Sequence, residues 1–178
     1  MSKRDPLRTL SKKLPPPPEL AAALENIYDQ PDRSAAIVGS AIIEALLENI
    51  IIKQLRCKDP GLIGQLFNNR GPLSDFHSKI LVATAIGMIT PQVGDELHRI
   101  KAIRNVFAHA KADVTFETPE IAAEIDEFML YKVMIATMEK MGNKLHFTNK
   151  KRYLFTIHLL SAMMNDVHKE VTGESLLA

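Results

Sequence analysis

From residue 19 onward, apolar side chains recur at the three- and four-residue spacing that puts them on one face of a helix. The periodic runs are divided by capping residues, prolines and glycines, which set where each helix starts and stops. PELAAALENIYD predicts a short helix over 18–29, and Asp32 or Ser34 can cap a long one running to about Cys57. DPGLIGQLF, residues 59–67, reads as a short amphipathic piece. Gly71 and Pro72 punctuate next, with Pro72 suited to the first turn of a helix ending near Gly87. Thr90 and Pro91 open a helix that reaches about Phe107, and ADVTFE, residues 112–117, is too short to be more than an extended connector. Thr118-Pro119-Glu120 opens a helix that stops near Gly142, and Thr148 caps the last one, which ends near Gly173. The pattern predicts an all-α protein: a single-domain helical bundle of about five to seven helices over residues 19–174, without internal repeats.

Two helices contain charges where the apolar stripe should be continuous. The long helix from residue 34 is apolar nearly all the way round, which makes it the central one. Yet Glu44 and Glu48 share a stripe with Ile37, Ala41, Ile51 and Leu55. On the helix of residues 91–107, Val93, Leu97, Ile100, Ile103 and Phe107 define the inward face, and Arg104 falls within it. A buried charge must be paired. The economical expectation is that Arg104 pairs with Glu44 or Glu48, because a guanidinium fork suits a carboxylate, or a phosphate in its place.

Composition narrows the setting. A chain of 178 residues with 46% hydrophobic content can bury a core without staples. The single cysteine, Cys57, excludes a disulfide framework, is expected as a small apolar filler, and fits a reducing, cytoplasmic compartment. The longest apolar stretch, ILVATAIGMI, falls below the roughly 20 residues of a bilayer span, so no membrane association is expected. The basic N-terminus has no apolar central region and does not read as a secretory signal. Residues 1–18 form a basic, proline-rich arm expected to be flexible and extended. A net charge of +1 decides nothing, but its distribution is uneven. Lys3, Arg4, Arg8, Lys12 and Lys13 form the basic arm, and Lys140, Lys144, Lys150, Lys151 and Arg152 a second cluster. Glu117, Glu120, Glu124, Asp126 and Glu127 form an acidic block. Cations at the start of the last helix oppose its dipole, so Lys150, Lys151 and Arg152 are candidates for touching an anion.

IRNVFAHAKADVTF, residues 103–116, carries the most specific candidate chemistry. RNVFAH resembles the R-x4-6-H motif of the HEPN superfamily, helical bundles that often dimerise and include metal-independent endoribonucleases. The spacing also occurs from Arg70 to His77 and from Arg152 to His158, but only the middle match has a polar residue, Asn105, directly after the arginine. The surrounding segment, about residues 71–121, resembles the mannitol operon repressor family and its bacterial relatives. Matching positions include Gly71, Pro72, Leu73, Ser74, Phe76, Lys79, Ile80, Gly87 and Ile89, then Arg104, His109, Phe116 and Glu120. His77 departs from the small residue expected there, and the N-terminal arm and last helix lie outside the resemblance.

The resemblance implies a regulatory protein, a repressor or transcriptional regulator, that acts as a homodimer on a protein, RNA or DNA partner. Its alternative is a metal-independent endoribonuclease in which His109 is the acid or base, Arg104 holds the phosphate and Asn105 orients either. A third reading is an interaction module of a toxin or defence system. No helix-turn-helix with a basic recognition helix stands out. No cofactor or metal is expected, because Glu44 and Glu48 lack the Glu-x-x-His partner helices of a bundle metal site. Residues five apart on a straight helix point about 140° away from each other. Arg104 and His109 therefore meet within one chain only if the helix ends near Phe107 and bends back, or across a two-fold axis between copies.

Overall fold

The computed structural model describes residues 14–68, 70–142 and 146–172, the last seven of these by backbone alone. Lys3, Arg4, Arg8, Lys12, Lys13 and Lys144 lie outside the described residues, as does the expected helix end at Gly173. Among the described residues there are eight α-helices and no strand. They are α1 (Pro17–Asn26), α2 (Asp32–Gln54), α3 (Pro60–Phe67), α4 (Phe76–Ala85), α5 (Pro91–His109), α6 (Pro119–Asp126), α7 (Met129–Lys140) and α8 (Asn149–Thr172). A 3-10 turn, Ile27–Asp29, follows α1. The arm's last prolines are already helical: Pro16 is extended, and Pro17 and Pro18 open α1, where a missing N–H costs nothing.

Helix α2 is the central element, packed against α8, α5 and α4. Leu47, Ile43 and Ile51 are fully buried, and Gly39 lies against Ile157 of α8 and Ile27, where an added Cβ would make ordinary contacts at 3.5–3.7 Å. By length and composition α2 could cross a bilayer, which the shorter run at 80–89 does not suggest. In this fold 56% of that apolar window is buried against other helices. Neither Asp32 nor Ser34 caps α2, whose start at Pro31 has no side-chain cap. Asp32 instead accepts a hydrogen bond from the Phe116 N–H at 3.1 Å, tying the connector after α5 to the start of α2. The helix ends at Gln54, where the Lys58 ammonium donates to the carbonyls of Ile52 and Lys53 at 2.8 and 2.6 Å. Cys57 lies beyond that end and is exposed rather than a core filler.

Pro72 does not open α4; Asp75 does, accepting from the Ser78 N–H. The Gly71–Pro72 segment is a tight link back onto α3. A Cβ on Gly71 would sit 2.2 Å from the Gln65 carbonyl oxygen and 2.3 Å from that of Leu66, so no larger residue fits. Thr90 and Thr148 cap α5 and α8 as their spacing predicts.

The helix expected from Thr118 to Gly142 is two helices, which is why the count exceeds seven. Phe128 turns into the core beside Tyr153, with ring centroids 6.2 Å apart. The carboxylate of Glu96 on α5 accepts from the N–H groups of Met129 and Leu130, capping α7 from another helix. A break there serves two masters: the aromatic gains burial, and the new N-terminus gains a carboxylate partner. Phe107, Phe116, Tyr153 and Phe128 then run through the core as a chain of ring contacts. The Tyr153 hydroxyl donates to the Ala36 carbonyl at 3.2 Å, and burial pushes its pKa up, against the opposing charge of Arg104.

Candidate functional site

Helix α5 positions the motif residues through its own periodicity. Ile100, Ile103 and Phe107 are buried against the bundle, so Arg104 and Asn105 come to its half-buried edge. The Arg104 guanidinium donates to Asn105 Oδ1 at 3.1 Å. His109 is the last residue of α5 and is exposed. Because the helix continues through His109, no bend brings it back onto Arg104. Among the described residues, no hydrogen bond joins the two. Asn105 and His109, four apart, share a face. One chain therefore presents a short polar strip, Arg104–Asn105–His109, in which the amide is the common neighbour.

The end of the strip is fixed by a residue the spacing argument missed. Arg33 of α2 donates to the Ala110 carbonyl at 3.3 and 3.4 Å and to the Ala112 carbonyl at 3.4 Å. These carbonyls lie just past α5, at the negative end of its dipole, where a cation is stabilised. Asp32 beside it holds Phe116, so the first turn of α2 fastens the whole exit from α5. The sequence signal was weak: adjacent Asp and Arg at a helix start look like ordinary first-turn charges.

The expected pairing of Arg104 with Glu44 or Glu48 is made by a different cation. The Lys79 ammonium of α4 lies 2.7 Å from Glu44 and 2.8 Å from Glu48. Lys79 is 3% exposed, and the carboxylates 21% and 15%. Burial alone would lower the lysine pKa, but the hydrogen bonds and charges of the two glutamates outweigh it and hold the group above its ordinary value. This signal was legible, since Phe76, Lys79, Ile80 and Ala83 form the buried stripe of α4. A cavity of about 170 Å³ opens over the trio, lined also by Ala41, Ala45, Asn49 and Ser74.

The second cationic cluster is largely committed within the chain. Lys150 donates to the Gln30 carbonyl at 2.5 Å and lies 3.6 Å from Asp32. Arg152 pairs with Asp126 at 2.5 Å and stacks over the Tyr131 ring, 5.4 Å from its centroid. Lys151 is exposed on the same turn. His77 sits 5.0 Å from the His98 ring of α5, and burial, then the neighbouring His77, lowers the His98 pKa. Among the described residues, no three histidine, cysteine or carboxylate side chains converge as a metal-ligand set would.

Compared with known proteins, the chain matches no family model, no curated protein and no solved structure.

Proposed function

We propose that the protein is a dimeric regulatory protein, similar to mannitol operon repressors, that engages nucleic acid through the Arg104–Asn105–His109 strip of α5. One observation carries this reading. Arg104 is half-buried, yet its hydrogen-bond partner is a neutral amide, while Glu44 and Glu48, the carboxylates foreseen for it, pair with Lys79. Among the described residues no carboxylate pairs with the Arg104 charge, and the other N–H groups of the fork suit a phosphate oxygen pair. Lys101, one turn before Arg104, adds a second cation on the same side. Titrating labelled RNA and DNA duplexes over a range of salt tests the reading. Arg104→Ala should weaken binding about uniformly across sequences and lower the salt slope by about one. An unchanged slope in that variant would remove α5 from the interface.

Metal-independent RNA cleavage is the second reading, favoured by the shared face of Asn105 and His109. In that reaction a neutral His109 takes the 2′-hydroxyl proton, the 2′-oxygen attacks phosphorus, and the 5′-oxygen leaves with a proton from a second acid. Arg104 would hold the non-bridging oxygens. The second acid would come from another copy of the chain, brought up across a two-fold axis. Incubation with mixed RNA in chelator should then yield cyclic-phosphate ends that vanish in His109→Ala.

A further inference from the structure

Helix α7 differs from every other α-helix with described side chains in having no buried residue. Its inner face, Leu130, Tyr131, Met134, Ile135 and Met138, is half-covered by the bundle. Its outer face is no ordinary solvated one. Met129, Val133, Ala136 and Lys140 line up there at intervals of four, three and four residues, with Met129 55% and Val133 61% exposed. That spacing is the seam of a two-helix coil, where a methionine, a valine and an alanine supply the contacts and the lysine stem covers the end. Beside the seam, on one edge only, stand Lys132 and Glu139, seven residues or about 10 Å apart along the axis. The Glu139 carboxylate has no ionic partner among the described residues, and Lys132 lies 3.9 Å from Glu127 and acts at longer range on Glu96.

We propose that α7 is a self-association surface, on which a second copy of this chain docks its own α7 in antiparallel orientation. A two-fold axis near the middle of α7 sets Lys132 against Glu139 of the second copy and repeats the pair on the other side. It also packs Val133 against Ala136, the small residue that lets the helices approach. A parallel arrangement sets Lys132 against Thr137 and loses both pairs, so charge selects the orientation. Two facing helices of 12 residues, each about 18 Å long, cover less than the roughly 1,200 Å² of a long-lived complex. The dimer is therefore a reversible one. This gives the dimer of the proposed function a location and takes only its stoichiometry from that reading.

Sedimentation velocity of the full chain over a concentration series tests it. Lys132→Glu and Glu139→Lys should each weaken dimerisation by about tenfold or more, by setting like charges face to face in both symmetry-related pairs. The double variant Lys132→Glu/Glu139→Lys, which leaves the net charge unchanged, should restore it. Val133→Asp should abolish it with the helical circular dichroism unchanged, because no core contact is lost. A wild-type chain that stays monomeric throughout, single reversals that dimerise normally, or a double reversal that fails to recover would each overturn the proposal. Arg104→Ala keeps the dimer, so a failed nucleic-acid reading and a failed interface are told apart.

Discussion

Replacing Lys79 by methionine removes one ammonium from between two carboxylates while keeping most of the side chain's volume. Removing one partner of a buried ion pair costs about 3–5 kcal/mol. The glutamates are partly reached by water, so the lower end applies, about 3 kcal/mol at neutral pH. An independent route agrees. Carboxylate oxygens 2.7 and 2.8 Å from one nitrogen lie no more than about 5.5 Å from each other. Two charges at that distance repel by about 3 kcal/mol at an effective dielectric near 20. Urea denaturation followed by helical circular dichroism at neutral pH measures the cost. Glu44→Gln in the Lys79→Met background should recover most of the loss at neutral pH. A Lys79→Met protein within about 0.5 kcal/mol of wild type at neutral pH would refute the reasoning, since that is the spread of ordinary surface changes.

Other expectations follow from the same geometry. Glu96→Ala removes the carboxylate that caps α7 and should cost about 2 kcal/mol, with hydrogen exchange accelerated first in α7. Burial raises the Glu96 pKa above its ordinary value despite the Leu130 and Met129 N–H groups. Its contribution to stability is thus present below the unfolded pKa and lost as pH climbs through the folded one, and Glu96→Gln should flatten stability-versus-pH curves there. Gly71→Ala should destabilise by more than about 2 kcal/mol in chemical denaturation, because its Cβ collides with backbone rather than with a side chain that can swing away.

The acid–base partnership illustrates how far local reasoning reaches. That Glu44 and Glu48 need a cation followed from their place on an apolar stripe. Choosing between Arg104 and Lys79 needed the packing of α4 onto α2, and periodicity carries no information about which helix lies across a seam. Arg104 also had a cheaper solution than any distant carboxylate, the Asn105 amide beside it in sequence. Arg33 was invisible because its partners are backbone carbonyls at the far end of a different helix, and carbonyls leave no mark in a residue pattern. The Glu127–Phe128 break was hidden for a similar reason: helix-forming residues run through it, and the cap that pays for the interruption comes from α5.

The order of residues alone determined an all-α architecture, the central place of α2, most helix starts and the polar character of residues 104–109. Those features depend on side-chain period and on caps within a few positions of the helix they start, which are short-range and written in the chain. Tertiary structure alone decided the ion-pair partner on α4, the division at Phe128, the fastening of the α5 exit by Asp32 and Arg33, and the outward stripe on α7. Each depends on which groups far apart in sequence the folded arrangement brings together and which it leaves facing outward.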